Sequence, residues 1–199
     1  VNMKNERSVG GNWDINYRTN LGDVGFTLNH LFFYTRLNNP LVLVNNGFQN
    51  STGHLDTKGM ETNLRLVYGD FKLFIGYTYT DANTHFNTKE WLPLTARHRL
   101  NNVLMYEVEG KWKIGLEAYH FSKQKLSDGT FGRAYWITGF MAERSWKKIS
   151  VFVNFENFTD TRQTKFDSIY TGTIDNPVFK DIYAPVEGFV VNGGVKLRL

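Results

Sequence analysis

The amino-acid sequence predicts an all-β protein, an antiparallel up-and-down transmembrane β-barrel, and three observations support this prediction. Long segments alternate between apolar and polar residues with a period of two, as β-strands do. The connections between these segments alternate between short turns and long loops, which is the pattern of transmembrane barrels. Aromatic residues make up 16% of the chain, which suits the aromatic girdles of such barrels.

The final segment, residues 188–199, shows the alternation most clearly. One side of this strand is apolar and carries Phe189, Val191, Val195, Leu197 and Leu199, whereas the other side carries Asn192, Lys196 and Arg198. A soluble protein rarely exposes a long, flat, apolar strand, because such a strand invites aggregation. A membrane-spanning barrel needs one, with lipid outside and a polar lumen inside.

The same reasoning predicts nine strands along the chain. They cover residues 9–19, 24–37, 57–68, 71–81, 97–108, 111–122, 133–145, 148–160 and 188–199. Their lengths of about 11 to 14 residues exceed the usual strand length in soluble sheets and suffice to cross a bilayer at a tilt.

The first four strands have clear faces. The first alternates Trp13, Ile15 and Tyr17 with polar residues, and the turn at 20–23 leads to a second strand with an apolar side. After a long loop at 38–56, the third and fourth strands alternate in the same way around a sharp turn at 69–70. Each of these strands therefore has one lipid-compatible side and one polar side.

The later strands follow the same plan with two exceptions. The fifth, sixth and eighth strands alternate around short turns at 109–110 and 146–147, and the remaining loops are long. The seventh strand, residues 133–145, alternates too poorly for its faces to be assigned, and Phe152 is an aromatic residue on the polar side of the eighth strand.

Nine is an odd number, whereas a single-chain bacterial barrel has an even number of strands with both ends in the periplasm. We therefore expect residues 1–199 to form the C-terminal part of a single, larger β-barrel domain. The first strand should then lack a closing partner within this chain.

Composition excludes several kinds of site. There is no cysteine, the net charge of +4 is modest, and no basic stripe suggests a nucleic-acid partner. The histidines His30, His54, His85, His98 and His120 have no metal-ligand spacing, and we find no catalytic or phosphate-binding motif. The sequence therefore predicts a protein that is not an enzyme, with no cofactor and no metal.

Two sets of residues are candidates for function. Charged residues on the polar side should line a wall that faces a lumen or a plug: Asp14, Arg18, Glu61, Arg65, Arg97, Arg99, Glu107, Glu117, Glu156, Lys196 and Arg198. Aromatic, amide and imidazole residues in the long loops suit a ligand that binds by stacking and hydrogen bonding: Phe48, Gln49, His54, His85, Phe86, Trp91, Phe131, Tyr170 and Phe179.

Several segments resemble TonB-dependent outer-membrane receptors of the kind found in Bacteroidetes. Residues 5–8 resemble the family's "ERS" segment, Gly59-Met60-Glu61 its "GxE" strand, and residues 155–160 the "NLFD" segment of its penultimate strand. Residues 181–188 resemble the segment before the last strand, although Phe189 replaces the arginine of the usual "PGR". The last strand also suits the pattern read by barrel assembly machinery, except that Leu199 replaces the usual aromatic residue.

This resemblance implies a 22-stranded barrel, of which this chain holds the last nine strands, and an N-terminal plug with a TonB box. The implied function is TonB-driven uptake of a large, scarce solute (a siderophore, cobalamin or an oligosaccharide) across the outer membrane of a Gram-negative cell. The implied partners are the missing plug and barrel strands of the same receptor, the TonB complex through that plug, outer-membrane lipid and a surface lipoprotein.

Three other functions remain open at this stage. A passive porin would have no plug, and an outer-membrane barrel hydrolase would need a paired serine and histidine on adjacent strands. A soluble barrel or sandwich that binds a ligand would turn its apolar residues inward.

Overall fold

The computed structural model describes residues 3–44 and 47–198, and its regular secondary structure is almost entirely β-strand. The strands are β1 (Arg7–Leu21), β2 (Val24–Asn38), β3 (Leu41–Val44), β4 (Gly47–Asn50), β5 (His54–Tyr68), β6 (Phe71–His85), β7 (Lys89–Trp91), β8 (His98–Val108), β9 (Trp112–Phe121), β10 (Tyr135–Ser145), β11 (Ile149–Glu156), β12 (Tyr170–Thr173), β13 (Asn176–Phe179) and β14 (Val190–Leu197). One short 3₁₀ helix, Gln163–Lys165, lies between β11 and β12.

Nine of these strands form one continuous antiparallel sheet in the order β1-β2-β5-β6-β8-β9-β10-β11-β14, with β7 paired to the end of β6. The all-β antiparallel fold is therefore confirmed, and each predicted strand matches one strand of this path. Among the described residues, β1 pairs with β2 and with no second strand of the sheet, and β14 pairs with β11 alone. Leu199, the last residue of the predicted ninth strand, lies outside the described part of the chain.

Short turns join the strands at one end of the sheet, which we call the turn end. Gly22, Gly69 and Gly110 have φ of 60°, 53° and 69° in three of these turns. This left-handed conformation costs little without a Cβ, and it lets the chain reverse within a few residues.

Long connections lie at the opposite end, the loop end, and contain structure that the sequence analysis left as loop. Strands β3 and β4 form a hairpin between β2 and β5, and β12 and β13 form another between β11 and β14. Strand β7 pairs with the loop end of β6, at residues 83–85, whereas β8 pairs with residues 71–79 of the same strand. The strict alternation of short and long connections is thus present in the structure.

The cross-strand register defines two faces of the sheet. The apolar face includes the aligned row Phe26, Leu66, Leu73, Leu104 and Leu116, since residues opposite each other in antiparallel strands point to the same side. The polar face holds the alternate positions.

The apolar face is not covered by a second layer within the described residues. Val195 and Leu197 are 64% and 69% exposed, and the buried hydrophobic residues are few: Ala82, Ala96, Leu126, Tyr183 and Ala184. A sandwich would bury this face in a dry core. No helix in the described residues has the length and apolar character needed to cross a membrane.

The register also settles the two exceptions. Trp136, Phe140 and Arg144 of β10 lie opposite apolar-face residues of β9, whereas Ile137 and Met141 share the polar face and obscure the alternation. Phe152 lies on the polar face, opposite Gly194. The ring fits there because Gly194 has no side chain, and a Cβ at that position would be 2.9 Å from the Phe152 ring.

Candidate functional site

Hydrogen bonds and ion pairs run across the polar face from strand to strand. Asp14 accepts a hydrogen bond from Asn29 at 2.6 Å, and Lys72 pairs with Glu107 at 2.6 Å. Near the other end of the sheet, Lys196 pairs with Glu143 at 2.9 Å. These pairs are partly exposed, so each adds little to stability. Together they give the face a hydrated, charged surface of mixed sign.

The register shows where the predicted wall residues lie. These charged residues occupy polar-face positions of their strands: Asp14, Arg18, Glu61, Arg65, Arg99, Glu107, Glu117, Glu156 and Lys196. Arg198 follows β14, and its backbone NH donates to Lys148 O at 2.8 Å. The proposal that these residues face a lumen or a plug remains a prediction.

Arg97 departs from this arrangement. Its guanidinium donates to Asp81 at 2.9 Å and lies 3.4 Å from the centre of the Trp91 ring. Asp81 and Trp91 belong to the register of the apolar face. Because Arg97 precedes the first paired residue of β8, strand alternation does not fix its direction.

Two long connections pack together over the polar face. The backbone O of Tyr183 accepts hydrogen bonds from Tyr135 OH at 2.9 Å and from Gln124 Nε2 at 3.1 Å. Tyr183 OH donates to Asp167 at 3.2 Å and accepts from the Arg133 NH. Burial raises the pKa of Tyr183, so the phenol keeps the proton that it donates.

Gln163 stabilises this loop assembly from within. Its side chain is 1% exposed, and its Oε1 accepts hydrogen bonds from the backbone NH groups of Tyr183 and Ala184 at 2.9 and 3.1 Å. Its Nε2 donates to Asp181 O at 2.9 Å. One amide therefore satisfies three buried backbone groups that would otherwise cost free energy.

The segment at 155–160, which resembles a family motif, forms a turn that positions the last strand. Asn157, with φ of 47°, donates to Thr161 O at 2.8 Å and to Glu187 O at 3.2 Å. Asp160 accepts the backbone NH of Phe189 at 3.1 Å. We call these contacts the Asn157–Asp160 clamp, because they join the end of β11 to the start of β14.

Basic residues surround Asp160 in this clamp. Arg162 donates to its carboxylate at 3.0 Å, and Lys165 donates to the same oxygen. The hydrogen bond from Lys165 lowers the pKa of Asp160 most, with the Phe189 NH and Arg162 adding to the effect. A side chain at position 188 would displace the Asp160 carboxylate, because a Cβ there would be 1.8 Å from Asp160 Oδ1.

A cavity of about 380 Å³, which we call the rim pocket, opens between the polar face and the loop assembly. Arg99, Phe121 and Tyr135 line it from the strands, and Ile182 and Tyr183 line it from the long connection. The rings of Phe121 and Tyr135 stack at 5.0 Å between centres. An arginine beside stacked aromatic rings suits an anionic, planar ligand group, because the guanidinium pairs with the charge and the rings stack on the plane.

The predicted loop residues do not line the rim pocket, and they are dispersed over the loop end. Phe48 and Gln49 lie on the exposed β3–β4 hairpin, Tyr170 lies opposite Phe179 on the β12–β13 hairpin, and Phe86 follows β6. Trp91 and Phe131, from different connections, pack edge to face at 5.8 Å. Sequence reasoning missed the rim pocket because its residues are separate in sequence and have no motif.

A second polar cluster lies on the other face, at the loop ends of β2, β5 and β6. We call Arg36, His54, Asp56, Asn83 and His85 the strand-end patch. The register places Arg36, Asp56 and Asn83 in one row, and His54 and His85 in the next row. This patch continues the apolar face beyond its last aromatic rows.

Within the strand-end patch, the two imidazole rings stack at 4.4 Å between centres. His54 Nε2 lies 4.0 Å from Asp56 Oδ1, and His85 Nε2 lies against the same oxygen. Partial burial lowers the pKa of His54 most, and Arg36 and His85 lower it further. This cluster was not predicted, because 30 residues separate the two histidines in sequence and only the pairing of β5 with β6 brings them together.

The comparisons with known proteins agree with the fold and with the sequence motifs. The family profile described as "TonB dependent receptor-like, beta-barrel" matches residues 8–158, which is most of the chain. The chain therefore belongs to this family of receptor β-barrels. No curated protein matches the sequence significantly.

Solved structures show the same fold at low sequence identity. The FrpB iron transporter from Neisseria meningitidis matches with a TM-score of 0.67 and 15% identity over 98% of this chain and 31% of its own. The ferric yersiniabactin uptake receptor FyuA from Yersinia pestis matches with a TM-score of 0.70 and 15% identity, over 96% and 30%. The pyoverdine receptor FpvA from Pseudomonas aeruginosa matches with a TM-score of 0.63 and 16% identity, over 96% and 30%.

The chain thus spans about a third of the length of these structures. The family and its structural neighbours are outer-membrane transport receptors rather than enzymes. The hydrolase is therefore excluded as a description of this chain, and the fold is that of a receptor barrel rather than a sandwich.

Proposed function

We propose that this chain forms part of the barrel wall of an outer-membrane receptor that imports a large, scarce solute with energy from TonB. The observation that carries this proposal is the two-sided sheet. Its apolar face is exposed along nine strands, and its polar face carries the charged groups. Such a sheet is stable with hydrocarbon on one side and water on the other.

The polar face would then line the lumen around a plug domain. Residues such as Asp14, Arg65 and Glu117 offer donors and acceptors of both signs, which can hold a plug and become solvated when it moves. In this proposal the plug, its TonB box and the other barrel strands belong to the same receptor. A surface lipoprotein is a further partner at the loop end.

The rim pocket is the proposed place where this wall touches the solute. Arg99 with Phe121 and Tyr135 favours an anionic chelate with planar groups, and the neighbouring structures include an iron transporter and a ferric yersiniabactin uptake receptor. We therefore propose an iron chelate, with cobalamin and an oligosaccharide as the alternatives. The loop aromatics Phe48, Trp91 and Phe179 would make the first contact.

An uptake assay tests this function. The full-length receptor is expressed in Gram-negative cells with and without a working TonB complex, and uptake of labelled iron chelates is measured. We expect uptake that requires TonB, and an apparent affinity that Arg99→Ala weakens about tenfold, as loss of a charged contact does.

Lys111→Ala is the matched control, because it removes a cation from a short turn at the opposite end of the sheet. Equal uptake without TonB would identify a passive porin and contradict the proposal. Recovery of the receptor as a soluble monomer without detergent would contradict its outer-membrane location.

A further inference from the structure

Half of the buried polar side-chain atoms without a hydrogen-bond partner in the described residues lie in the strand-end patch. Buried side-chain atoms without a hydrogen-bond partner occur at Asp56 Oδ1, Asn83 Nδ2, His85 Nε2, Trp91 Nε1 and Arg97 Nε, and elsewhere at Arg162 Nε. Buried polar groups are normally hydrogen-bonded, so each exception needs an explanation. All but one of these exceptions lie at the loop ends of β5 and β6 or beside them.

Three of the side chains offer metal-ligand atoms at close range. One ligand atom each from His54, Asp56 and His85 lies within 4.8 Å of the others. His85 Nε2 and Asp56 Oδ1 touch without the geometry of a hydrogen bond. Zinc bonds of about 2.0 to 2.2 Å place ligand atoms roughly 3.3 Å apart in a tetrahedron, so small side-chain rotations suffice.

From this geometry we propose that His54, Asp56 and His85 bind a divalent transition metal such as Zn²⁺. Two imidazole nitrogens and one carboxylate oxygen form a ligand set that zinc commonly takes, with water in the fourth position. His54 and Asp56 are two residues apart on β5 and so point to the same side, and His85 lies directly opposite His54 on β6. The metal would join the two strands where their loops leave the sheet.

The backbone places this site in water rather than in lipid. Met60 and Tyr79 are opposite each other in the last apolar row of β5 and β6. Asp56 lies four residues beyond Met60, which is about 13 Å along a strand at 3.3 Å per residue. The pair Lys58 and Asp81, between that row and Asp56, is already charged.

Arg36 should weaken metal binding, and replacing it gives a specific test of the proposal. Its Nη2 donates to His54 Nδ1 at 3.1 Å, so a neutral His54 ring carries its proton on Nε2. Metal binding at Nε2 requires that proton to move to Nδ1, and Arg36 must then release the ring. A glutamine at position 36 could accept a hydrogen bond from Nδ1–H, and it removes a nearby positive charge.

The experiment measures zinc binding to the full-length receptor in detergent by calorimetry. We expect one Zn²⁺ per chain at this site, a loss of at least tenfold in affinity in each of His54→Ala, Asp56→Asn and His85→Ala, and a several-fold gain in Arg36→Gln. His120→Ala is the control, because His120 packs on Trp136 outside the patch. Thermal unfolding checks that every variant is folded.

With added Zn²⁺, a chelator should lower the unfolding temperature of the wild type and leave that of His85→Ala unchanged. No zinc binding, or equal binding in the three ligand variants, would overturn the proposal, and weaker binding in Arg36→Gln would overturn the competition. The result is independent of solute uptake, because a receptor without TonB-driven transport can still bind zinc here.

Discussion

Aromatic rings cover glycines at three places on the polar side of the molecule. A Cβ at Gly59 would be 2.6 Å from the Phe33 ring, and a Cβ at Gly132 would be 2.6 Å from the Tyr183 ring. Phe152 covers Gly194 in the same way. A ring laid on glycine backbone shields the strand and fills the space that a side chain would take. At Gly59, the glycine of the 59–61 motif, the Phe33 ring takes the space that a side chain would fill.

At the same scale, the charge of Asp160 should make the Asn157–Asp160 clamp sensitive to acid. The folded state lowers the pKa of this carboxyl, so the charged form is favoured on folding. Its stabilising effect is therefore complete above the ordinary aspartate pKa of about 3.9 and is lost as the pH falls through the lower, folded value.

We expect hydrogen exchange at the Phe189 amide to speed up, relative to its intrinsic rate, when the pH falls below that range. Asp160→Asn should show fast exchange already at neutral pH and little further change on acidification. Asp175→Asn, in the turn between β12 and β13, is the control. Identical pH profiles for wild type and Asp160→Asn would contradict the role given to the charge.

At the scale of elements, long strands were predictable because two independent patterns agree. Alternation indicates which residues share a face, and the turn glycines indicate where the strand ends at the turn end of the sheet. The bounds of β5 and β6 therefore agree with prediction at the turn end and differ only by extra residues at the loop end. The extra residues were missed because polar side chains occupy their apolar-face positions, which are His54, Asp56, Asn83 and His85. Alternation has no signal where water lies on both sides of a strand.

Short elements and sites escaped prediction for a related reason. The hairpins β3–β4 and β12–β13 have strands of four residues, too short for a period to be recognised. The rim pocket and the strand-end patch depend on which strands are neighbours and in what register. Arg97 was placed on the wrong face because it lies just before β8, where its contact with Asp81 and not strand alternation sets the direction of its side chain.

Two adjacent positions on β8 test the assignment of faces. Leu104 lies on the apolar face among leucines of β6 and β9, and Met105 lies on the polar face opposite Lys72. Leu104→Lys should destabilise the receptor by about 2–4 kcal/mol, the range for a cation on the lipid face near the bilayer midplane. Met105→Lys should cost far less, because its charge enters the hydrated face.

The measurement is reversible unfolding of the full-length receptor in lipid vesicles. The two variants differ by one position and carry the same new residue, so lysine propensity cancels between them. Equal destabilisation would contradict the assignment of one lipid face and one hydrated face, and a larger effect at position 105 would show that the faces are reversed.

At the scale of the whole molecule, the sheet has no second layer and two edges without a neighbour in the described residues. A single exposed sheet with an apolar side gains little from folding in water, because burial of apolar surface is the main driving force. Such a sheet becomes stable when lipid covers one side and further strands pair with its edges. These two requirements together support a larger barrel of which this chain is one arc.

Hydrogen exchange on the full-length receptor in detergent tests that arc directly. If further strands close the barrel, the amides of β1 and β14 that point away from β2 and β11 should be protected as strongly as those of the central strands β6 and β8. An open edge would leave the same amides in contact with solvent, and they would then exchange quickly. The central amides of β6 and β8 serve as the internal reference, since both neighbouring strands are present in the sheet. Fast exchange at β1 in the full-length receptor would show that its outer edge stays open, and a closed barrel would then be the wrong description.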